Sequence, residues 1–259
     1  MKRVKLIIFL LFVATTGFAQ TTDKYTEWGP TNQQTQNGII IRAGYVIGGT
    51  TPLPLPAEIR SINEFSPKGG FTVGFDAYHM FSRHWGIQVG WHLFYEGFHT
   101  SAEVKNYRMS ITQNQGEDFL EGYFTGTDVT DTWMLGGTIP LTVTFRLSPR
   151  WNVSAGPFIS LLFDKTFEGE VYDGYLRKDT PTGQKTEFSR ESKATYDFAD
   201  DMLSAYWGAQ LLFDWKAMRH MNVFGGVDWA CSGIFPKRFQ TVEFKMFPIY
   251  AKFGLAYRY

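Results

Sequence analysis

Trp85-Gly86-Ile87-Gln88-Val89-Gly90-Trp91-His92-Leu93-Phe94-Tyr95-Glu96 changes character at nearly every step. Trp85, Ile87, Val89, Trp91, Leu93 and Tyr95 form one set, and Gly86, Gln88, Gly90, His92 and Glu96 fall between them, with Phe94 the exception. In an extended chain successive side chains point to opposite faces, so a period of two means a strand with one bulky apolar face and one small or polar face.

Seven further segments repeat the pattern, at residues 39–48, 71–77, 133–147, 151–164, 203–216, 221–229 and 247–259. Ile39, Ile41, Ala43, Tyr45 and Ile47, for example, stand against Arg42, Gly44 and Gly48, and Trp207, Leu211, Phe213 and Trp215 against Gly208, Gln210 and Asp214. Period alone does not say which face points inward, but volume does. A barrel of about eight strands has an interior only just wide enough for its own side chains. The bulky face carries every tryptophan except Trp28, a set too large for that space, whereas the Gly, Ser and Thr face fits. The reading is therefore an all-β, eight-stranded antiparallel up-and-down transmembrane β-barrel with its apolar side toward lipid.

The small face also carries charges of both signs. Arg42, Arg146, Lys216, Lys252 and Arg258 stand against Asp76, Glu96, Asp164, Asp214 and Asp228, with His92 among them. Charges withdrawn from bulk water need partners, so these residues are expected to form an ion-paired lumen that is a plug rather than a pore.

Connections test the topology independently. Joints at 82–84, 148–150 and 217–219 are short, those at 49–68, 98–132, 165–201 and 233–245 are long, and the two kinds alternate strictly. Bacterial barrels have short periplasmic turns and long extracellular loops. With that orientation, Trp85, Phe145, Trp151, Trp215, Tyr257 and Tyr259 fall near the periplasmic rim, and Tyr45, Tyr95, Trp133, Phe163, Trp229 and Phe247 near the other. These are the two aromatic girdles expected where amphipathic rings meet headgroups.

The chain opens Met1-Lys2-Arg3-Val4-Lys5, continues with an apolar run at residues 6–14, and reaches small residues at Gly17 and Ala19. Basic, apolar and small regions in that order predict a signal peptide for Sec export over residues 1–19; the apolar run is shorter than the ~20 residues a spanning helix needs. The expected organisation is then a periplasmic extension at 20–37 and an outer-membrane barrel at 38–259. A formal net charge of zero gives no general attraction to nucleic acid. Cys231 is the lone cysteine and forms no internal disulfide.

Residues 139–158, Ile139-Pro140-Leu141-Thr142-Val143-Thr144-Phe145-Arg146-Leu147-Ser148-Pro149-Arg150-Trp151-Asn152-Val153-Ser154-Ala155-Gly156-Pro157-Phe158, and the end Lys252-Phe253-Gly254-Leu255-Ala256-Tyr257-Arg258-Tyr259 resemble the outer-membrane β-barrel domain family common in Bacteroidetes, which includes PorT-like proteins and small porin-like barrels. The resemblance covers nearly all of residues 38–259 and implies a fold and an assembly route, not a reaction. The terminal strand, with Phe253, Leu255, Tyr257 and Tyr259, resembles the signal read by the barrel-assembly machinery. Outer-membrane lipid, lipopolysaccharide and a secretion-system or surface partner are the expected associations.

Catalytic and metal-binding patterns are weak. His84 and His220 fall at turns, His79 at the lipid face, and His99 with Ser101 lacks a companion acid at recognised spacing. His92 near Glu96 reads best as a hydrogen-bonded member of the lumen, where buried polar groups must be satisfied. No HExxH or other metal-ligand cluster occurs, so no enzyme activity, cofactor or metal is expected. The acidic long loops, including Glu117, Glu121, Asp128, Glu168 and Glu170, read as solvated surface. Their aromatics Phe119, Tyr123, Phe124, Phe167, Tyr172 and Tyr175 are the leading recognition candidates, because exposed aromatics are over-used at binding surfaces. The competing functions are a structural or ligand-binding barrel, a small pore or passive transporter, and a membrane-embedded lipid hydrolase.

Overall fold

The computed structural model describes residues 36–53, 55–113, 118–236 and 245–259. The expected signal peptide at 1–19, residues 20–35 of the expected extension, and Glu117 lie outside the described residues.

The strands are β1 (Gln36–Pro52), β2 (Ile59–Met80), β3 (Trp85–Gln113), β4 (Asp118–Arg146), β5 (Trp151–Lys178), β6 (Lys185–Phe188), β7 (Ala194–Asp197), β8 (Ala205–Lys216), β9 (Met221–Ala230) and β10 (Met246–Arg258). Eight of them close an antiparallel ring: β1 to β5 pair in chain order, β5 passes to β8, β8 to β9 and β9 to β10, and β10 returns to β1. Closure leaves the ring without unpaired edges, the condition for spanning a membrane with strands. β6 and β7 lie beyond the ring, paired on the outer part of β5.

The alternation seen in sequence is the alternation of faces. Along β8 every second residue is buried and its neighbours are exposed; Leu212 is 1% accessible and Trp207 58%. Phe94, out of step with its apolar neighbours in sequence, is a buried inward residue. Toward the short-turn rim the interior holds a small apolar cluster of Ile40, Tyr78, Met80, Leu212, Phe224 and Ala256. A larger cluster starts at Val46, Phe94, Met134 and Phe158 and continues outward.

That continuation corrects the expectation of irregular long loops at 98–132 and 165–201. β3, β4 and β5 run on past the long-loop rim as ordered sheet, with β6 and β7 added, and form a cap that buries Met109, Ile111, Phe124, Val171, Leu176, Phe188 and Tyr196 in the continuation of that cluster. The extension escaped the period-two reading because its phase breaks. Register shifts fall at Val104/Tyr107 on β3 and opposite Tyr172 and Tyr175 on β5, and each bulge moves the inward set to the other parity. On β3 the buried residues change from Ala102 and Val104 to Tyr107, Met109 and Ile111.

A third shift, between Leu135 and Gly136 opposite Asp164 and Leu162, corrects one site residue. Asp164 was expected in the lumen, on the phase of Ser154 and Ser160. The bulge turns it outward, where it is exposed and accepts the backbone N–H of Lys165 at 2.9 Å.

Candidate functional site

Among the described residues Arg42 is the largest fully buried side chain, 2% accessible, and it projects from β1 into the barrel. Its Nε donates to Asp76 Oδ2 on β2 at 2.6 Å, and its Nη1 and Nη2 donate to Asp214 Oδ1 and Oδ2 on β8 at 2.5 and 3.0 Å. A bidentate guanidinium–carboxylate pair is among the strongest charge-assisted contacts available to side chains. Asp76 Oδ1 in turn meets His92 Nε2 at 3.0 Å, and the Arg42 guanidinium lies 5.3 Å from the centre of the Phe224 ring. β1, β2, β3 and β8 are thereby tied together through the interior.

The remaining lumenal residues divide into smaller groups. Lys252 Nζ donates to Asp228 Oδ2 at 2.8 Å, and Tyr206 OH donates to Glu96 Oε1 at 3.2 Å. Arg258 stacks over Tyr78, 4.4 Å from the ring centre. Arg146 and Lys216 sit at the short-turn mouth, where Lys216 is close enough to Arg146, Arg219 and Arg258 to feel their charges. Thr138 with Ser160 and Thr144 with Ser154 pair hydroxyls across neighbouring strands at 2.7 and 2.9 Å. Gln88 and Gln210, on the small face in sequence, are buried in the lumen, and so are Tyr206 and Tyr250, which the site reading passed over; their position between outward neighbours on the period-two pattern was the available signal.

Between these groups lies a cavity of about 20 Å³ bordered by His92, Glu96, Ser160, Tyr206, Asp228 and Lys252. A space of that size holds about one water molecule. His92 and Asp76 are both buried, and the His92 ring nitrogen that faces Asp76 is bonded to a carboxylate rather than to a hydroxyl.

The aromatic residues of both rims face outward. At the short-turn rim Trp85 and Phe145 are 4.6 Å apart between ring centres and Trp151 and Trp215 6.4 Å. Tyr257 stacks with His220 at 5.8 Å, and Tyr259 is exposed. At the other rim Phe71, Tyr95 and Trp133 form a chain with spacings of 5.9 and 6.0 Å, and Tyr45 packs on Phe253 at 5.7 Å. Phe163 and Trp229 are exposed there, and Phe247 is half-buried.

The cap formed by the outer parts of β3, β4 and β5 with β6 and β7 separates the recognition candidates. Phe124 and Phe167 point into the cap core, where Phe124 packs on Phe188 at 6.3 Å and Phe167 on Phe235 at 5.2 Å. They were expected to meet a ligand and are instead part of the hydrophobic interior, because each lies on the inward phase of its strand. Tyr123, Tyr172 and Tyr175 lie on the opposite phase and are half-buried. Tyr175 is 4.6 Å from Lys185 Nζ and 5.3 Å from the Arg177 guanidinium, and Tyr172 is 5.5 Å from that of Arg190. Phe119 belongs to β4, but its side chain lies outside the described residues.

Asp128 is buried in the cap and accepts Tyr196 OH at 2.9 Å. Burial pushes its carboxyl up to about 7, and the Tyr196 hydrogen bond offsets only part of that. On the outer face Asp131 pairs with Lys68 and with His99 Nδ1 at 3.2 Å. It stands in register with Glu168, which stands in register with Asp197. These carboxylates border an open groove of about 700 Å³.

A family model described as outer membrane protein beta-barrel domain matches residues 18–235. A comparison with curated proteins gives no match. Among solved structures, the attachment invasion locus protein Ail of Yersinia pestis is similar at a TM-score of 0.37 and 8% identity, over 86% of this chain and 99% of that one. The outer membrane protein OprG of Pseudomonas aeruginosa is similar at 0.31 and 14%, over 86% and 95%. The toluene transporter TbuX of Ralstonia pickettii is similar at 0.25 and 8%, over 86% and 90%.

Proposed function

The chain belongs to the outer membrane protein beta-barrel domain family, and from that premise we propose that this integral outer-membrane barrel works without conducting or catalysing, as a plugged scaffold that holds a recognition surface outside the cell. The observation that carries the reading is the crossing of the interior by Arg42. Its guanidinium joins Asp76 and Asp214 from opposite parts of the ring, so a solute would have to break a buried, charge-assisted contact to pass. Further out, the mouth lies beneath a cap whose core is continuous with that of the barrel. Rigid sheet presenting Tyr123, Tyr172 and Tyr175 beside cationic side chains is suited to holding a partner, since little conformational freedom is lost on binding.

The finer assignments rest on the same footing. The motif over residues 139–158 supports a place among PorT-like proteins of Bacteroidetes, the aromatic terminal strand supports recognition by the barrel-assembly machinery, and the basic–apolar–small start of the chain supports Sec export. Planar-bilayer recording tests the central point: purified protein is expected to give no stable conductance step. Reproducible single-channel openings at low voltage would replace this reading with that of a small pore.

A further inference from the structure

We infer that the short-turn rim is a binding surface for the anionic headgroups of phospholipids in the periplasmic leaflet, engaged by Arg83, Arg150 and Arg219. These three arginines occupy the three short turns, one on each, and all are exposed. Nearer that rim than Asp76 and Asp214, the described residues include no aspartate or glutamate, and those two carboxylates are committed to Arg42. Lys216 and Arg258 add positive charge from the lumenal side, Lys216 within range of both Arg219 and Arg258.

Depth argues for lipid. Ser82 Oγ accepts the Trp85 N–H at 2.9 Å and Ser148 Oγ accepts the Trp151 N–H at 3.2 Å, so the turns bearing Arg83 and Arg150 are each pinned to a girdle tryptophan. His84 stacks on Phe145 and His220 on Tyr257, at 6.1 and 5.8 Å. Girdle rings mark the interface between hydrocarbon and headgroups. Cations one to four residues beyond them, away from the bilayer centre, stand at the level of the phosphates.

Distribution argues the same way. The turns are spaced around the ring, between β2 and β3, β4 and β5, and β8 and β9, and backbone bonds link neighbouring positions, Arg146 N–H to His84 O and Lys216 N–H to Arg150 O, both at 2.8 Å. A protein partner would dock on one side. A lipid annulus meets every side, and an annular anion is matched by cations carried on all three turns of the rim.

Full-length protein refolded into phosphatidylcholine vesicles, with brominated phosphatidylglycerol or brominated phosphatidylcholine as quencher, tests this through Trp85, Trp151 and Trp215. Wild type is expected to be quenched preferentially by phosphatidylglycerol. The preference should fall by up to about fivefold per charge removed in Arg83→Gln/Arg150→Gln/Arg219→Gln, and should vanish for wild type in 1 M salt, where the screening length is about 3 Å. An Arg→Lys triple variant should retain it, and this arm with the salt series decides the matter if the Gln variant fails to show heat-modifiable mobility. Equal quenching by the two lipids in wild type overturns the inference, as does a preference that survives the Gln substitutions. Displacement of phosphatidylglycerol by soluble polyglutamate also overturns it, pointing to an acidic protein partner, and displacement by inorganic phosphate does so in favour of a free anion.

Discussion

Gly126 on β4 and Gly174 on β5 pass so close that a Cβ built on either would lie 2.7 Å from the Cα of the other. Gly126 has φ 153°, and on the flanking strands Asn106 and Asp173 adopt φ 55° and 49°. These left-handed residues coincide with the register shifts of β3 and β5, so three adjacent strands are bent along one crease. Glycine is needed at the middle of it: a side chain would meet backbone, which has no freedom to move aside.

Gly126→Ala and Gly174→Ala are therefore expected to destabilise the cap by roughly 1–3 kcal/mol, the scale of local backbone strain, and to leave the barrel intact. Hydrogen exchange should show faster exchange in β6 and β7 with the amides of β8 and β9 unchanged. Uniform acceleration across all strands would mean that cap and barrel unfold as one unit.

Asp128 makes the same region sensitive to pH. Its folded-state value of about 7 lies above the ordinary 3.8, so its contribution is fully present below about 3.8 and is lost as pH rises through 7. Tyr107 and Tyr196 are the titratable groups facing it, and burial raises both well above their usual range, so they stay neutral throughout. Protection of the Tyr196 and Phe198 amides should fall between pH 5 and pH 8 by about 2–3 kcal/mol at most. Asp128→Asn should flatten that profile. A profile equally steep in the variant would place the titrating group elsewhere.

Much of the barrel was legible because a strand facing lipid on one side and a packed lumen on the other must alternate, and Trp85 to Tyr95 do so without help from tertiary context. The phase was legible only as far as the first bulge. Asp164 sits beyond one, and an inserted residue carries no sequence mark apart from the glycines and asparagine nearby, so it was placed on the wrong face. Height was not legible either. Alternation assigns Arg42, Asp76, His92 and Asp214 to one side, but strand tilt and stagger decide that these four meet while Glu96 bonds to Tyr206 instead. In the cap, Tyr123 and Phe124 are chain neighbours of similar size, and only the strand phase decides which is core.

The lipid face offers a direct check on orientation. Val89 is half exposed, lies opposite Leu141, and stands between the girdle residues Trp85 and Tyr95. Val89→Arg should cost about 2–4 kcal/mol, as expected for a cation near the midplane, read as a lower urea midpoint in vesicles. Tyr259→Arg, at the rim, should cost about 1 kcal/mol or less. Equal losses at the two positions would contradict the assigned depth.

The lumenal quartet yields a prediction in which the larger change does less harm. Arg42→Met leaves the Asp76 and Asp214 carboxylates facing each other in a dry interior, and removing one partner of a buried pair typically costs about 3–5 kcal/mol. Arg42→Met/Asp76→Asn/Asp214→Asn removes the charges together, leaving amides that can bond to one another and to His92. The triple variant should therefore unfold at a higher temperature in heat-modifiability gels than Arg42→Met alone, and lie nearer to wild type. If the three losses instead accumulate, the guanidinium supplies net stability beyond compensating its neighbours' charge, and the plug would have to be regarded as a source of barrel stability as well as a barrier.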